Sequence, residues 1–223
     1  MAAAQNANYS DKTKRNIYIT VAGVLLAIAF VIASLVYKIG QPRIMGTSEL
    51  KINGAYMFDT PRAFKPFVLT DHLGQQFVPS RFDDKWTLVF FGFTHCPDVC
   101  PTTMSLLNQL MIKLAETGDD EDTQVIMVSV DPARDTVDVL AQYVPYFNPG
   151  FIGVTGQFLD IHRFATQLNT PFRKVMEEDG SYQVEHGGNI ALINPKGHYH
   201  GFFKTPHDLA KLRATYRSVK AVF

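Results

Sequence analysis

The chain has only two cysteines, Cys96 and Cys100, which are separated by three residues and are each followed directly by a proline. A short apolar run, Trp86 to Phe93, leads into the pair, and apolar residues recur at helical spacing over Thr102 to Leu114 after it. The cysteines are therefore predicted at a strand-to-helix junction. Open α/β sheets bind their ligands at this position, beyond the carboxyl end of a strand.

Pro101 indicates where the helix begins. A proline inside a helix costs roughly 3 kcal/mol, whereas at the first helical position its missing N–H costs nothing. With Pro101 at that position, Cys96 to Cys100 is an irregular loop whose sulfurs can face one point. The positive end of the helix dipole favours thiolate there. Because a thiolate is both a nucleophile and a metal ligand, redox chemistry and metal binding are both predicted possibilities.

His186 is the third candidate residue. Thioredoxin-type oxidoreductases usually space their cysteines by two residues and carry a cis-proline before the strand that faces them. The corresponding segment here, residues 184–190, offers His186 and no proline. If Ile190 to Ile193 is the strand facing the cysteine loop, His186 lies within reach of both sulfurs. Two thiolates and one imidazole suit copper above other ions, and Cu(I) accepts three ligands where zinc needs a fourth.

Other polar residues give weaker signals. Gly187 and Gly188 are predicted to let the loop swing His186 on and off a metal. Asp131 to Asp135 ends the neighbouring strand as either a capping turn with an internal ion pair or a docking segment, with Asp135 as a helix N-cap. Among the remaining histidines, His95 is predicted to be an exposed loop residue, and the pair His198 and His200 lacks a third ligand nearby.

The N-terminal region predicts a membrane anchor. Ile17 to Val36 contains no charged residue and has about the 20 residues that cross a bilayer as a helix. It is longer than the roughly 7–15-residue apolar region of a cleaved signal peptide. Basic residues are slightly more frequent before the run than after it, which favours an inside N-terminus. The predicted organisation is a cytoplasmic segment 1–16, a transmembrane anchor 17–38, a tether 39–64 and a folded domain 65–223.

Composition and periodicity predict the fold class of this domain. The 21 Lys and Arg balance the 21 Asp and Glu, and the basic residues form no stripe, so nucleic-acid binding is not expected. Two cysteines are too few to staple a fold, so stability must come from an apolar core. The order of predicted elements gives an α/β protein with a thioredoxin-like fold and an N-terminal β-hairpin. Those elements are hairpins at 67–78 and 172–184, strands at 86–93, 125–130, 151–154, 190–193 and 199–203, and helices at 102–114, 136–146, 158–168 and from 205.

Three segments of the chain resemble the SCO/SenC family. They are residues 91–101 (Phe-Gly-Phe-Thr-His-Cys-Pro-Asp-Val-Cys-Pro), residues 128–136 (Val-Ser-Val-Asp-Pro-Ala-Arg-Asp-Thr) and residues 184–186 (Val-Glu-His). The resemblance covers roughly residues 60 to 220 together with the anchor. It implies a membrane-tethered, thioredoxin-like copper protein that helps to assemble the CuA centre of cytochrome c oxidase.

The resemblance also assigns residues. The family's copper ligands correspond to Cys96, Cys100 and His186, and its nearby acidic residue corresponds to Asp131 or Asp135. The family usually has Asp-His-Ser around the histidine, where this chain has Glu-His-Gly. The ligand is therefore kept, while the hydrogen bonds that orient it, and with them the metal affinity, are expected to differ.

The resemblance implies a copper metallochaperone, not an enzyme, that delivers one copper ion per domain, as Cu+ or Cu2+, to the oxidase subunit carrying CuA. A thiol reductant or another copper chaperone is the expected second partner. The expected location is a bacterial inner membrane with the domain in the periplasm, or a mitochondrial inner membrane facing the intermembrane space. Two alternatives stay open: a thiol-disulfide reductase that keeps the CuA cysteines reduced through Cys96 and Cys100, and a redox or copper sensor. A peroxiredoxin-type peroxidase is disfavoured, because only His95 separates Thr94 from Cys96.

Overall fold

The computed structural model describes residues 10–223, and the chain divides into two compact units, one ending at Pro42 and the other spanning Arg43–Phe223. The first unit contains helix α1 (Asp11–Gly40), whose 30 residues are long and apolar enough to cross a membrane. Helix α1 begins before the predicted anchor and includes part of the predicted cytoplasmic segment. Residues 1–9 of that segment lie outside the described residues.

The second unit is built on an eight-stranded sheet with the strand order β1-β10-β9-β4-β5-β6-β2-β3, and β7 and β8 form a separate hairpin. The strands are β1 (Ala55–Ala63), β2 (Leu69–Asp71), β3 (Gln76–Phe77), β4 (Trp86–Gly92), β5 (Thr123–Ser129), β6 (Ile152–Thr155), β7 (Phe172–Met176), β8 (Tyr182–His186), β9 (Ile190–Ile193) and β10 (His198–Phe203). The helices are α2 (Thr47–Ile52), α3 (Val99–Ala115), α4 (Val137–Phe147), α5 (Phe158–Gln167) and α6 (Leu209–Ala221).

Strand β4 is the centre of the sheet. It pairs in parallel with β5, in the register Phe90 to Met127, and antiparallel with β9, in the register Phe90 to Ile190. All of its residues are buried, as expected for a strand that is covered on both faces. Helix α3 then buries apolar residues at three- and four-residue spacing, among them Met104, Leu107 and Leu114. The sequence therefore places the cysteine loop at the end of a fully buried central strand.

The predicted strands, helices and hairpins of the domain are present, but the predicted tether is wrong. Residues 39–64 contain α2 and β1, and β1 pairs antiparallel with β10, for example Ala55 with Phe203. The compact unit accordingly begins at Arg43. Because the partner of β1 lies near the end of the chain, no local sequence pattern indicates this pairing.

The prediction for the start of α3 is also wrong. The helix begins at Val99 with Asp98 as its N-cap, so Cys100 lies in the first turn and not in the loop. Pro101 is tolerated because the first N–H groups of a helix have no intrahelical partner and the carbonyl four residues earlier lies outside the helix. The irregular loop is therefore shorter than predicted, and of the two cysteines only Cys96 belongs to it.

Two further helix starts differ from the predictions. Thr136, and not Asp135, caps α4, because its side chain accepts a hydrogen bond from the Val139 N–H. Helix α6 begins at Leu209, where Asp208 accepts a hydrogen bond from the Lys211 N–H, and not at Thr205. In both cases the capping hydrogen bond determines the boundary.

Candidate metal centre

The two cysteines occupy different environments at the carboxyl end of β4. Cys96 is half-buried in the loop, and Cys100 is fully buried in the first turn of α3; both thiols are free. Gly92 makes room for the buried sulfur, because a Cβ at this position would lie 2.9 Å from Cys100 Sγ and 2.7 Å from Phe90 Cε1. The chain therefore needs glycine here to let the helix bring its thiol onto the end of the strand.

His186 approaches from the end of β8. Its Nε2 lies 3.5 Å from Cys100 Sγ, and its Nδ1 lies 3.2 Å from the Gly187 carbonyl oxygen. The imidazole packs edge-on against Phe90 and Phe93, with ring centroids 6.0 Å and 5.7 Å away. Donation from Nδ1 to the Gly187 carbonyl leaves the Nε2 lone pair facing the sulfur, which is the tautomer that a metal ligand requires.

The structure thus brings together all three residues singled out by the sequence. The ligand atoms of Cys96, Cys100 and His186 all lie within 4.8 Å of one another. Within residues 10–223, no other group of three or more histidine, cysteine or carboxylate side chains meets the same geometric condition. Two sulfurs and one imidazole nitrogen at these separations could hold one metal ion.

Burial dominates the electrostatics of the site. Desolvation raises the pKa of the Cys100 thiol strongly, the neighbouring Cys96 and Asp135 add to this, and a backbone hydrogen bond at Phe93 opposes it. Desolvation lowers the pKa of His186, partly offset by the hydrogen bond to Gly187. The predicted preference for thiolate at this helix N-terminus is therefore opposed at Cys100 by burial, which raises the pKa of its thiol. A bound cation would reverse this balance and displace the thiol proton.

Asp135 connects the cysteine loop to the next strand. Its fully buried carboxylate accepts hydrogen bonds from the Thr94 N–H at 3.0 Å, the Thr94 hydroxyl at 2.6 Å and the Ser129 hydroxyl at 2.7 Å. These contacts hold the residues just before Cys96 against the end of β5. Asp135 is therefore a brace for the loop and not the predicted helix cap.

Asp131 forms a second network beside the site. Its carboxylate accepts a hydrogen bond from the Tyr182 hydroxyl at 3.0 Å and pairs with Arg134. The Arg134 guanidinium lies over the ring of Tyr182 at 4.1 Å and over the ring of Phe93 at 5.7 Å. The internal ion pair of the capping-turn interpretation is thus present, and a role in docking a partner stays a prediction. Neither Asp131 nor Asp135 belongs to the metal-binding group.

Sequence reasoning missed Tyr182 and His207. Tyr182 lies on the same strand as His186, four residues earlier, so the two-residue period of a strand places both on one face. That period was the available signal. His207 contacts the loop after His186, with its Nε2 2.7 Å from the Gly188 carbonyl oxygen. No sequence pattern links these two positions, because the contact depends on where the chain turns before α6.

The other histidines weighed in the sequence are not part of the metal-binding group. The side chain of His95 is 54 % exposed, and its Nδ1 is 3.9 Å from Asp135. His200 packs edge-on against Trp86 and Phe223, with ring centroids 5.4 Å and 5.7 Å away, at the opposite end of β4 from His186. Neither His198 nor His200 belongs to a metal-binding group within the described part of the chain.

An open cavity of about 340 Å³ adjoins the site. Its lining consists of Pro171, Phe172, Arg173, Glu185 and His186. Glu185 is exposed and pairs with Arg173 at 2.6 Å. The histidine is therefore reachable from solvent on the side of the β7–β8 hairpin, whereas Cys100 is not.

Comparisons with known proteins agree with this architecture. The family model described as SCO1/SenC matches residues 57–221. A putative copper-binding protein of Stutzerimonas stutzeri is 40 % identical over 153 residues, which is 68 % of this chain and 74 % of that protein. The mitochondrial Protein SCO1 homolog 1 of Arabidopsis thaliana is 32 % identical over 185 residues, covering 81 % of this chain and 55 % of that protein. The chain thus spans only about half the length of this second relative.

Comparison with solved structures also finds proteins described as Sco. The crystal structure of Arabidopsis thaliana ScoI with copper bound is 33 % identical, with a TM-score of 0.67, and the alignment covers 71 % of this chain and 98 % of that one. The structure of Bradyrhizobium japonicum ScoI with copper bound is 30 % identical, with a TM-score of 0.61, over 71 % and 96 % of the two chains. These likenesses confirm the predicted thioredoxin-like α/β fold.

Proposed function

Since the chain belongs to the SCO1/SenC family, we propose that it is a membrane-anchored copper metallochaperone that delivers copper to the CuA site of cytochrome c oxidase. The observation that supports this most is the convergence of two thiols and one imidazole within 4.8 Å at the end of β4. Relatives and structural neighbours are described as copper-binding or copper-bound, and one structural neighbour as a member of a family of cytochrome c oxidase assembly proteins.

Cys96, Cys100 and His186 are the proposed ligands of one copper ion. Thiolate sulfur is a soft ligand that favours Cu(I), and imidazole suits copper in either oxidation state. Binding releases a proton from each thiol, and the imidazole, whose pKa burial lowers, is already neutral and ready to bind. The aromatic walls formed by Phe90 and Phe93 restrict the ring to the orientation that faces the sulfurs.

Exposure of the three ligands suggests how the ion leaves. A partner's thiolate can reach the ion from the side of half-exposed Cys96 or through the cavity beside His186, while Cys100 is fully buried. We propose that partner ligands replace Cys96 and His186 first and that Cys100 gives up the ion last. Each cysteine sulfur regains a proton as its bond to copper breaks, so the transfer is a ligand exchange without net oxidation.

The proposed location follows from α1. Its length and apolar composition suit a single membrane-spanning anchor, with the folded unit in the periplasm or, in a mitochondrion, in the intermembrane space. The partners there would be the oxidase subunit carrying CuA and a thiol reductant or another copper chaperone.

A membrane-impermeant maleimide applied to intact cells should label Cys96. Labelling only after the membrane is opened would reverse the proposed orientation.

The main rival is a thiol-disulfide reductase that keeps the CuA cysteines reduced, since both thiols are free and adjacent. A His186→Ala variant separates the two functions, because a reductase needs the thiols and not the imidazole. As a chaperone, the variant should lose copper binding and oxidase assembly in cells that lack the wild-type protein. A His200→Ala variant, which removes an imidazole at the far end of β4, is the matched control and should keep both. Full assembly by His186→Ala without bound copper would instead establish the reductase.

A further inference from the structure

The loop that joins β8 to β9, residues 187–189, is held by the segment that precedes α6. The Gly188 carbonyl oxygen lies 2.7 Å from His207 Nε2, and the Asn189 side-chain oxygen accepts a hydrogen bond from the Thr205 N–H at 3.1 Å. Gly188 also packs closely on Thr205, since a Cβ at position 188 would lie 3.3 Å from Thr205 Oγ1. Three separate contacts therefore fix one half of the loop.

The other half of the loop is open. A Cβ at Gly187 would meet only Thr170 Cγ2, at 4.0 Å. The carbonyl of Gly187 lies against His186 Nδ1 at 3.2 Å, so a rotation of the backbone at this residue would turn the imidazole. The loop thus has a fixed end at Gly188 and Asn189 and a less restricted end beside the candidate ligand.

The contacts of Gly188 and Asn189 matter because of where this loop lies in the fold. Strand β9 belongs to the central sheet, whereas β8 pairs only with β7 in the separate hairpin. The loop is the direct covalent link between the hairpin that carries His186 and the central sheet, whose strand β4 leads through the cysteine loop to Cys100 in α3. Contacts that fix the loop therefore help to fix the distance between the imidazole and the buried sulfur, together with the packing of the ring on Phe90 and Phe93.

We propose that His207 and Thr205 are positioning residues for His186: together they clamp Gly188 and Asn189 and thereby set how long the imidazole stays on the metal. The inference rests on the proposed function, because it treats His186 as a copper ligand. The sequence predicted that both Gly187 and Gly188 let the loop move His186 on and off a metal. With Gly188 held in place, this movement is limited to rotation of the backbone at Gly187. His207 donates from Nε2 to the Gly188 carbonyl and does not touch the metal-binding atoms.

The test compares four forms of the full chain in detergent: the wild type, His207→Ala, His207→Gln and the control His200→Ala. Glutamine can place a donor nitrogen close to that of Nε2, so it should restore the hydrogen bond. Hydrogen–deuterium exchange of residues 184–190 is measured without metal, the release of Cu(I) to a competing chelator is timed, and urea unfolding records global stability. His207→Ala should exchange faster in this segment and release copper about fivefold faster, as expected for the loss of one hydrogen bond. His207→Gln should behave like the wild type, and His200→Ala should change stability alone.

If His207→Ala exchanges hydrogen and releases Cu(I) at the wild-type rates, the proposal is overturned. It is also overturned if His200→Ala releases Cu(I) as fast as His207→Ala does. If His207→Ala does not fold, Gly188→Ala replaces it, because the added methyl group pushes against Thr205 and should loosen the same clamp. Unchanged exchange in that variant would also overturn the proposal. Failure of the wild type to bind copper would refute the proposed function, while the exchange measured without metal would still test the clamp.

Discussion

The two cysteine side chains differ in a way that their spacing does not suggest. Cys100 is fully buried at the second position of α3, and desolvation raises the pKa of its thiol, while Cys96 lies half-exposed in the loop. Because the thiolate is the reactive form of cysteine, the two sulfurs should divide their tasks. Cys96 is the sulfur that meets reagents and partners, and Cys100 is the sulfur that retains the ion.

Alkylation of the reduced, metal-free protein tests this division. Iodoacetamide at neutral pH should modify Cys96 on the order of tenfold faster than Cys100, because Cys100 is both inaccessible and protonated. Mass spectrometry of peptides from samples quenched over time gives the two rates. In urea both cysteines should react at similar rates, which serves as the control. Equal rates in the native protein, or a faster reaction of Cys100, would contradict the assignment.

At the scale of single elements, the end of β4 is the critical position. Its last residue, Gly92, has Phe90 and Cys100 within 3 Å of where a Cβ would lie. The strand, the loop and the first turn of α3 can meet at the site only because this residue has no side chain. Glycine at this position therefore serves the geometry of the sulfur and not the flexibility of the strand.

Gly92→Ala should consequently disturb both the fold and the site. We expect a loss of about 1–3 kcal/mol in the free energy of unfolding, typical of overpacking, because neither the ring of Phe90 nor the sulfur of Cys100 can move without disturbing the core. Copper affinity should fall as well, since Cys100 Sγ is displaced. Urea unfolding and competition with a copper chelator measure the two effects.

Gly46→Ala provides the comparison, because a Cβ there meets nothing within 4 Å. It should cost under about 1 kcal/mol, the range for losing a glycine N-cap, and should leave copper affinity unchanged. Wild-type stability and affinity in Gly92→Ala would show that the sulfur has more room than the structure indicates.

Element prediction from the sequence succeeded where the signal is local. The buried strand β4, the helical period of α3 and the hairpin around Asp179 and Gly180 were all predicted from neighbouring residues. Helix starts were less accurate, because a proline is tolerated anywhere in the first turn and Asp135 is used as a brace and not as a cap. The pairing of β1 with β10 was missed because β10 is far along the chain.

In the candidate site, too, local patterns were informative and contacts between distant segments were not predicted. The cysteine pair and the position of His186 before β9 indicated the three converging residues. The residues that support them, such as Asp135 on Thr94 and His207 on Gly188, depend on contacts between distant segments. Such contacts follow from the complete fold, so spacing along the chain does not reveal them.

At the scale of the whole molecule, partly buried imidazoles make stability depend on pH. Desolvation lowers the pKa of His186, His200 and His207 below its ordinary value near 6.5. As pH falls below about 6.5, the unfolded chain takes up protons that the native state does not, so the free energy of unfolding decreases until the lowered native pKa values are reached. The metal-free protein should therefore be less stable at pH 5.5 than at pH 7.5.

Urea unfolding of the metal-free protein at the two pH values measures this difference. His200→Gln removes one of the three groups at a position remote from the metal centre, so its stability should decline less over the same pH interval. Stability that is constant or increases towards pH 5.5 in the wild type would contradict the lowered pKa of these partly buried imidazoles.

The proposed copper function depends most on the identity of the atoms that bind the ion. X-ray absorption at the copper edge, on the full chain loaded with Cu(I), reports the sulfur and nitrogen neighbours of the ion directly. We predict two sulfur ligands and one imidazole nitrogen in the wild type, and loss of the nitrogen in His186→Ala with the two sulfurs kept in any copper that remains bound. An unchanged nitrogen signal in His186→Ala, or a wild-type ion bound by sulfur alone, would contradict the three-residue copper centre.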